Sequence, residues 1–318
     1  MIYIIIVIHG IFWLKLLPRP YATVLLLEMP LIFLVSGYAF ALSSKKVSSI
    51  NVSFYLNYAK SRLTRIIVPY FAYALVCASI VMFLSNENNY IEIILAWFNP
   101  LSYGTGANAY TLNWHLWFIP PFLVVTLALP LCKSDIFSRI PAAFMLILLC
   151  VSFSIASYFE SMLTTPIFYF MWAFIGFKLG SGVNISDKIL IAIALVSTLA
   201  LFIGKYNFNA DLDMQTNKFP PNLLFLVFSC IWVSLALVFA PKVPQKAVDA
   251  LAANKLVSLF VSSGYTLYLW QGLGFSAAFV LKSKFDLNPV VTLLIAVVIT
   301  IVLGKLASPI ERIRWKLS

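Results

Sequence analysis

Few side chains in this chain have obvious chemistry, and those few stand in apolar surroundings. His9 lies in MIYIIIVIHGIFW, where an imidazole can take or give a proton at physiological pH. A histidine hydrogen-bonded to a neighbouring helix for packing is the structural alternative. The only other histidine, His115, sits in NWHLWF at the outer end of an apolar run, a place that an aromatic interface belt also explains. Glu28, in LLLEMPLIF, reads as an interfacial carboxylate or as the partner of a cation or a histidine. Gln271 follows TLYLW and stands beside Gly264, Gly272 and Gly274, so its span is kinked or closely approached. Arg62 and Arg65, in NYAKSRLTRIIVP, are spaced i, i+3 on one helical face. They read either as cytoplasmic anchors of a span or as forked cations that bind phosphate; Lys60 reads as an anchor. Ionisable groups inside apolar spans are costly and are functional candidates for that reason.

The composition sets the environment of these groups. Of 318 residues, 62% are hydrophobic and 10% charged, with a mean hydropathy of +0.96. A soluble domain carries about 25% charged residues, so the chain reads as all-α and embedded in a bilayer. The net charge of +11 then belongs to membrane sidedness, and nucleic acid is not an expected partner. Cys77, Cys132, Cys150 and Cys230 are scattered singly in apolar runs and read as packing residues, with no disulfide framework and no metal site. No P-loop, GxSxG elbow or HExxH is present, and Met1–Trp13 shows neither a basic n-region nor a cleavage site of a signal peptide.

Apolar runs predict ten spans: Met1–Leu14, Ala22–Ala41, Thr64–Leu84, Trp114–Leu131, Ile140–Ser157, Thr164–Leu179, Ile189–Ile203, Asn222–Ala240, Leu256–Leu281 and Pro289–Ala307. With that list, one side of the membrane carries only Lys15, Arg19, Lys205, Lys218, Lys282 and Lys284. The other carries the remaining sixteen of the 22 basic residues. The bias places both termini in the cytoplasm. A single membrane domain over residues 1–318 follows, with no soluble domain. The first span is short: its fourteen residues reach about 21 Å as helix, against a hydrocarbon core of about 30 Å. The simplest expectation is that the sequence begins too late, by about six or more residues; a short, tilted or interfacial helix is the alternative. Two outer loops, Ser85–Asn113 and Lys205–Pro221, are rich in amides and aromatics. They suit carbohydrate hydroxyls and C–H faces, and equally any wet loop beside lipid. Tyr90–Phe98 within the first loop is apolar enough to lie in the interface.

These pieces, in order, resemble the membrane acyltransferase 3 family, polytopic O-acyltransferases of bacterial surface polysaccharides and related molecules. VIHG (Val7–Gly10) resembles the end of its first-span Arg…His motif. MPLIFLVSGYAF (Met29–Phe40) resembles its second-span Ser-Gly-aromatic pattern, and YAKSRLTRIIVPYF (Tyr58–Phe71) resembles its RxxR segment. WHLWFIPPFL (Trp114–Leu123) and SGYTLYLWQ (Ser263–Gln271) resemble two later segments. The similarity extends over nearly the whole chain. Two departures stand out: the family Arg would precede Met1, and Gln271 stands where members often have histidine, so no proton-transfer role is assigned to it.

The resemblance implies a bacterial inner-membrane enzyme that takes an acyl group, commonly acetyl, from cytosolic acyl-CoA. Its acceptor would be a hydroxyl of a polysaccharide or lipid-linked glycan. It implies His9 as the catalytic base or transient acyl carrier and Arg62 and Arg65 as ligands of the CoA phosphates, with no metal. The acceptor side falls to Glu28, Tyr110, Asn113, Trp114 and His115. A non-enzymatic transporter or flippase for a lipid-linked sugar would also need many spans and wet outer loops, though neither an inverted repeat nor paired broken helices are evident. A start-truncated, inactive relative is the third reading.

Overall fold

The computed structural model describes residues 2–47, 51–84, 90–101, 110–134, 141–159, 161–311 and 313. Arg139, Arg312, Arg314 and Lys316 of the charge count lie outside them, as do residues 85–89 and 102–109 of the first outer loop and the side chain of Tyr110. The described residues are helical, with no strand among them. Among the described residues, six helices are long and apolar enough to cross a membrane: Tyr21–Ser43, Val52–Leu84, Leu116–Lys133, Asp187–Phe208, Leu223–Lys242 and Pro289–Glu311. The other runs expected to span are helical too, over Ile2–Trp13, Ala142–Tyr158, Thr164–Gly180 and Gly264–Phe285.

Three boundaries differ from expectation for physical reasons. The third span was expected from Thr64, but its helix starts at Val52 and runs 33 residues, about 50 Å at 1.5 Å per residue. Asn51 starts it early by accepting the Phe54 N–H on its side-chain oxygen at 2.8 Å. Arg62 and Arg65 therefore sit about three turns inside the helix, not on its first turns. The second span is interrupted: a short helix, Arg19–Thr23, passes through turns before Glu28 opens the Glu28–Ser43 helix. The ninth, expected as one run from Leu256 to Leu281, breaks at Ser263 into Lys255–Ser262 and Gly264–Phe285. The Glu311 carboxylate caps the second piece, accepting from the Thr266 N–H at 3.0 Å and the Thr266 hydroxyl at 2.7 Å. A carboxylate at a helix N-terminus satisfies an orphan donor and opposes the macrodipole.

The chain forms two compact units. The first comprises Met1–Leu17, Leu56–Leu123 and Ala250–Ser318. Its spine is the antiparallel pair Gly264–Phe285 and Pro289–Glu311, against which Ile2–Trp13 packs. Ile6, Leu14, Leu267, Phe275, Ala278 and Ala296 form a buried cluster there. The second unit comprises Pro18–Tyr55 and Val124–Asp249. At its centre Glu28–Ser43 lies on Thr164–Gly180 with Gly37 against the Ala173 backbone and Gly176 against the Leu34 backbone. A Cβ at either glycine would overlap the facing carbonyl, so this close approach requires glycine on both helices. Asp187–Phe208 pairs with Leu223–Phe239. Side chains of Ser186 and Asn222 cap those two helices, and Asn209 ends the first in the left-handed conformation, φ 49°.

Candidate functional site

Within the first unit, a helix presents His9 and Trp13 one turn apart on one face. Their rings stack with centroids 4.9 Å apart and planes 8° from parallel. Phe275 meets Trp13 edge-to-face with centroids 4.8 Å apart. Trp114 and His115 approach Trp13 at 6.0 and 6.3 Å, and Tyr268 lies 6.4 Å from His9. The sequence-derived candidates His9, Trp114 and His115 are thus gathered around one indole.

The position of the His9 ring is fixed by Gln271. Nδ1 of His9 and Oε1 of Gln271 are 3.0 Å apart across 262 residues of sequence. An amide oxygen can only accept, so His9 donates through Nδ1–H and the neutral ring carries its lone pair on Nε2. His9 is half-buried, whereas Gln271 is 0% exposed. The other end of that amide, Nε2 of Gln271, is buried with no hydrogen-bond partner. Next to it, a Cβ at Gly272 would stand 2.6 Å from His115 Cε1 and 2.8 Å from the Thr111 carbonyl, so glycine lets the Tyr110–His115 segment seat against the helix.

That segment is held from several sides. His115 is 0% exposed and its Nε2–H donates to the Leu269 carbonyl at 3.0 Å. Tyr268 donates through its hydroxyl to the His115 carbonyl, Tyr73 to the Leu112 carbonyl at 2.7 Å, and Thr111 and Ser276 share a hydrogen bond of 2.6 Å. Asn113 is half-buried and its carbonyl accepts from Leu116 N–H at 2.9 Å. Trp114 is 52% exposed and faces outward. Tyr110 opens the segment's short 3₁₀ turn, its side chain lying outside the described residues.

Arg62 and Arg65 share the Val52–Leu84 helix with Tyr73, whose ring is 5.8 Å from His115. Along the axis they lie about 16 and 12 Å from Tyr73. Arg62 is half-buried with its guanidinium over the Tyr58 ring at 5.3 Å, and Arg65 is exposed.

Glu28 belongs to the second unit. Lys218 donates to Glu28 Oε1 at 3.0 Å with both side chains buried, 3% and 1% exposed. Of the partners the sequence left open for Glu28, the structure supplies the cation. Beside Lys218, in the outer loop whose amides would suit carbohydrate or any wet loop, Asn217 is engaged with its own loop. Asn217 donates to the Asp211 and Asp213 carbonyls at 2.7 and 2.9 Å, and Asn222 donates to Asn217 at 2.6 Å.

Sequence reasoning missed the part played by Gln271 and by Trp13. The i, i+4 spacing of His9 and Trp13 was a usable signal for their stacking; nothing local could pair His9 with Gln271. Among the described residues, no group of three His, Cys, Asp or Glu side chains converges to hold a metal.

A model of a protein family described as an acyltransferase domain matches residues 1–307, and so takes in His9, both arginines, the Tyr110–His115 segment and Gln271. No curated protein and no solved structure matches this chain. The match supports membrane acyltransferase activity, consistent with the six long apolar helices, and by it this chain belongs to the acyltransferase 3 family.

Proposed function

We propose that the chain transfers an acyl group, acetyl first, from cytosolic acyl-CoA to a hydroxyl of a surface polysaccharide or lipid-linked glycan, in a bacterial inner membrane. The observation that carries this reading is the His9–Gln271 hydrogen bond. It holds the imidazole in the tautomer whose Nε2 lone pair can act. As base, Nε2 takes the proton of the acceptor hydroxyl while its oxygen attacks the thioester carbonyl. The C–S bond then breaks and the CoA thiolate leaves, to be protonated by His9. As acyl carrier, the same Nε2 attacks the thioester first, the C–S bond breaks and the CoA thiolate leaves; the acceptor oxygen then takes the acyl group from Nε2 while the hydroxyl proton goes to the thiolate, which restores the neutral imidazole.

Arg62 and Arg65 bind donor phosphates in this reading. Guanidinium groups at the cytosolic end of a span stop a charged nucleotide that cannot enter lipid. The uncharged pantetheine arm then covers the 12 to 16 Å of helix toward the aromatic cluster (about eight to eleven residues at 1.5 Å). Tyr110, Asn113, Trp114 and His115 form the acceptor side, with exposed Trp114 suited to stack on a sugar face. Glu28 is already engaged by Lys218, and we give it a structural role.

Membranes containing the protein, supplied with acetyl-CoA labelled in the acetyl group, are expected to transfer label to host glycan, and His9→Ala is expected to abolish the transfer. Label on the protein itself in the absence of acceptor would select the carrier route. Deletion that leaves glycan O-acetyl content unchanged but accumulates precursor inside the cell would replace this reading with transport.

A further inference from the structure

In the first unit, a groove of about 440 Å³ opens between the Lys255–Ser262 helix and the C-terminal part of Pro289–Glu311. Lys255, Ser258, Leu259 and Ser262 line it from one face of the first helix, at the i, i+3, i+4, i+7 spacing of an amphipathic surface. Ile301 and Lys305, one turn apart, line it from the second. Leu259 and Ile301 are half-buried and form an apolar floor; Lys255, Lys305, Ser258 and Ser262 are exposed around it. Neither lysine has a carboxylate partner among the described residues. The one acid on these two helices, Glu311, is directed to Thr266.

We infer that this groove binds one anionic phospholipid, its phosphate between Lys255 and Lys305, its headgroup on the two serines and its acyl chains on the apolar side. Three observations select that occupant. Lys305 lies six residues before the end of a 23-residue helix, about 9 Å from its terminus, within the reach of a lysine side chain that snorkels to the headgroups. The surfaces beside the groove are apolar and open, with Val261 80%, Leu306 73% and Val302 52% exposed, as acyl chains require. The lining contains no aromatic ring and no arginine, so an adenine has nothing to stack on and a nucleotide is poorly matched. Both lysines also fall on the side of the membrane that carries the excess of basic residues, the leaflet where anionic lipids concentrate. This inference does not depend on the catalytic reading.

Native mass spectrometry of the full chain in detergent, titrated with dioleoyl phosphatidylglycerol or dioleoyl phosphatidylcholine, tests it. The wild-type protein should retain one phosphatidylglycerol in preference to phosphatidylcholine. Lys255→Ala with Lys305→Ala should weaken phosphatidylglycerol binding about thirtyfold, the effect of two lysines each contributing about 1 kcal/mol at a charged surface. Lys282→Ala with Lys284→Ala, at the other end of the Gly264–Phe285 helix, should leave it unchanged. Equal retention of the two lipids, or an equal loss in the control pair, would overturn the site. Displacement of phosphatidylglycerol by coenzyme A would overturn the choice of lipid and make the groove a donor site instead.

Discussion

Gln271→Met separates the chemistry of His9 from the packing around it. Methionine keeps the length and unbranched shape of glutamine but cannot accept from His9 Nδ1–H. The lost bond is neutral to neutral, with a net worth of about 0.5–1.5 kcal/mol. At about 1.4 kcal/mol per tenfold in rate, acyl transfer should fall up to about tenfold. The loss should appear in kcat and not in the KM for acetyl-CoA, because Gln271 holds the ring that reacts and not the donor.

Stability should move the other way. Gln271 buries an amide nitrogen with no partner, a penalty of about 1–3 kcal/mol that the thioether removes. Against it stands the single bond to His9, so Gln271→Met should unfold at the same temperature as the wild type or a higher one. The assay is initial-rate transfer from labelled acetyl-CoA in membranes, paired with thermal unfolding of the purified protein in detergent. A variant that loses stability and activity together would make Gln271 a packing residue. Full activity would show that the Nδ1–H tautomer is not needed and would refute the proposed role of the His9–Gln271 bond.

Other perturbations address the remaining parts. His9→Ala should abolish transfer while the protein still inserts, read by membrane fractionation beside the activity assay. Arg62→Ala with Arg65→Ala should raise the KM for acetyl-CoA at least about tenfold, since a bond to a charged group is worth about 1.5–3 kcal/mol. An unchanged KM would return both arginines to the role of anchors. Lys218→Met leaves Glu28 buried and unpaired at 1% exposure, so it should destabilise the fold by about 3–5 kcal/mol. Adding Glu28→Gln should recover most of that in the same unfolding assay. Glu311→Ala removes the cap on Thr266 and should cost about 1 kcal/mol, visible as a lower unfolding temperature.

The helices were legible because membrane segments announce themselves by apolar length, and where the boundaries moved, the cause was a polar side chain. At Val52 that side chain is local: Asn51 stands directly before the helix and caps it, a signal open to reading. At Ser263 it is remote. Leu256–Leu281 carries no charged residue, and the helix start at Gly264 is stabilised by Glu311, 45 residues away from Thr266. A capping partner that distant leaves no trace in local periodicity.

The same distinction governs the polar residues. In a chain with 10% charged residues, His9, Glu28 and Gln271 stand out by type alone, because each costs too much in lipid to be incidental. Which groups pair does not show in the sequence, since Lys218 lies 190 residues from Glu28 and Gln271 lies 262 from His9. Only the packing of helices decides which polar groups meet. It decides chemistry as well as stability here. Glu28 meets a counter-charge through Oε1, an arrangement that balances a buried carboxylate. His9 meets a neutral amide that orients its ring without supplying a charge. In the proposed reading it is Nε2 of the ring so oriented that takes part in proton or acyl transfer.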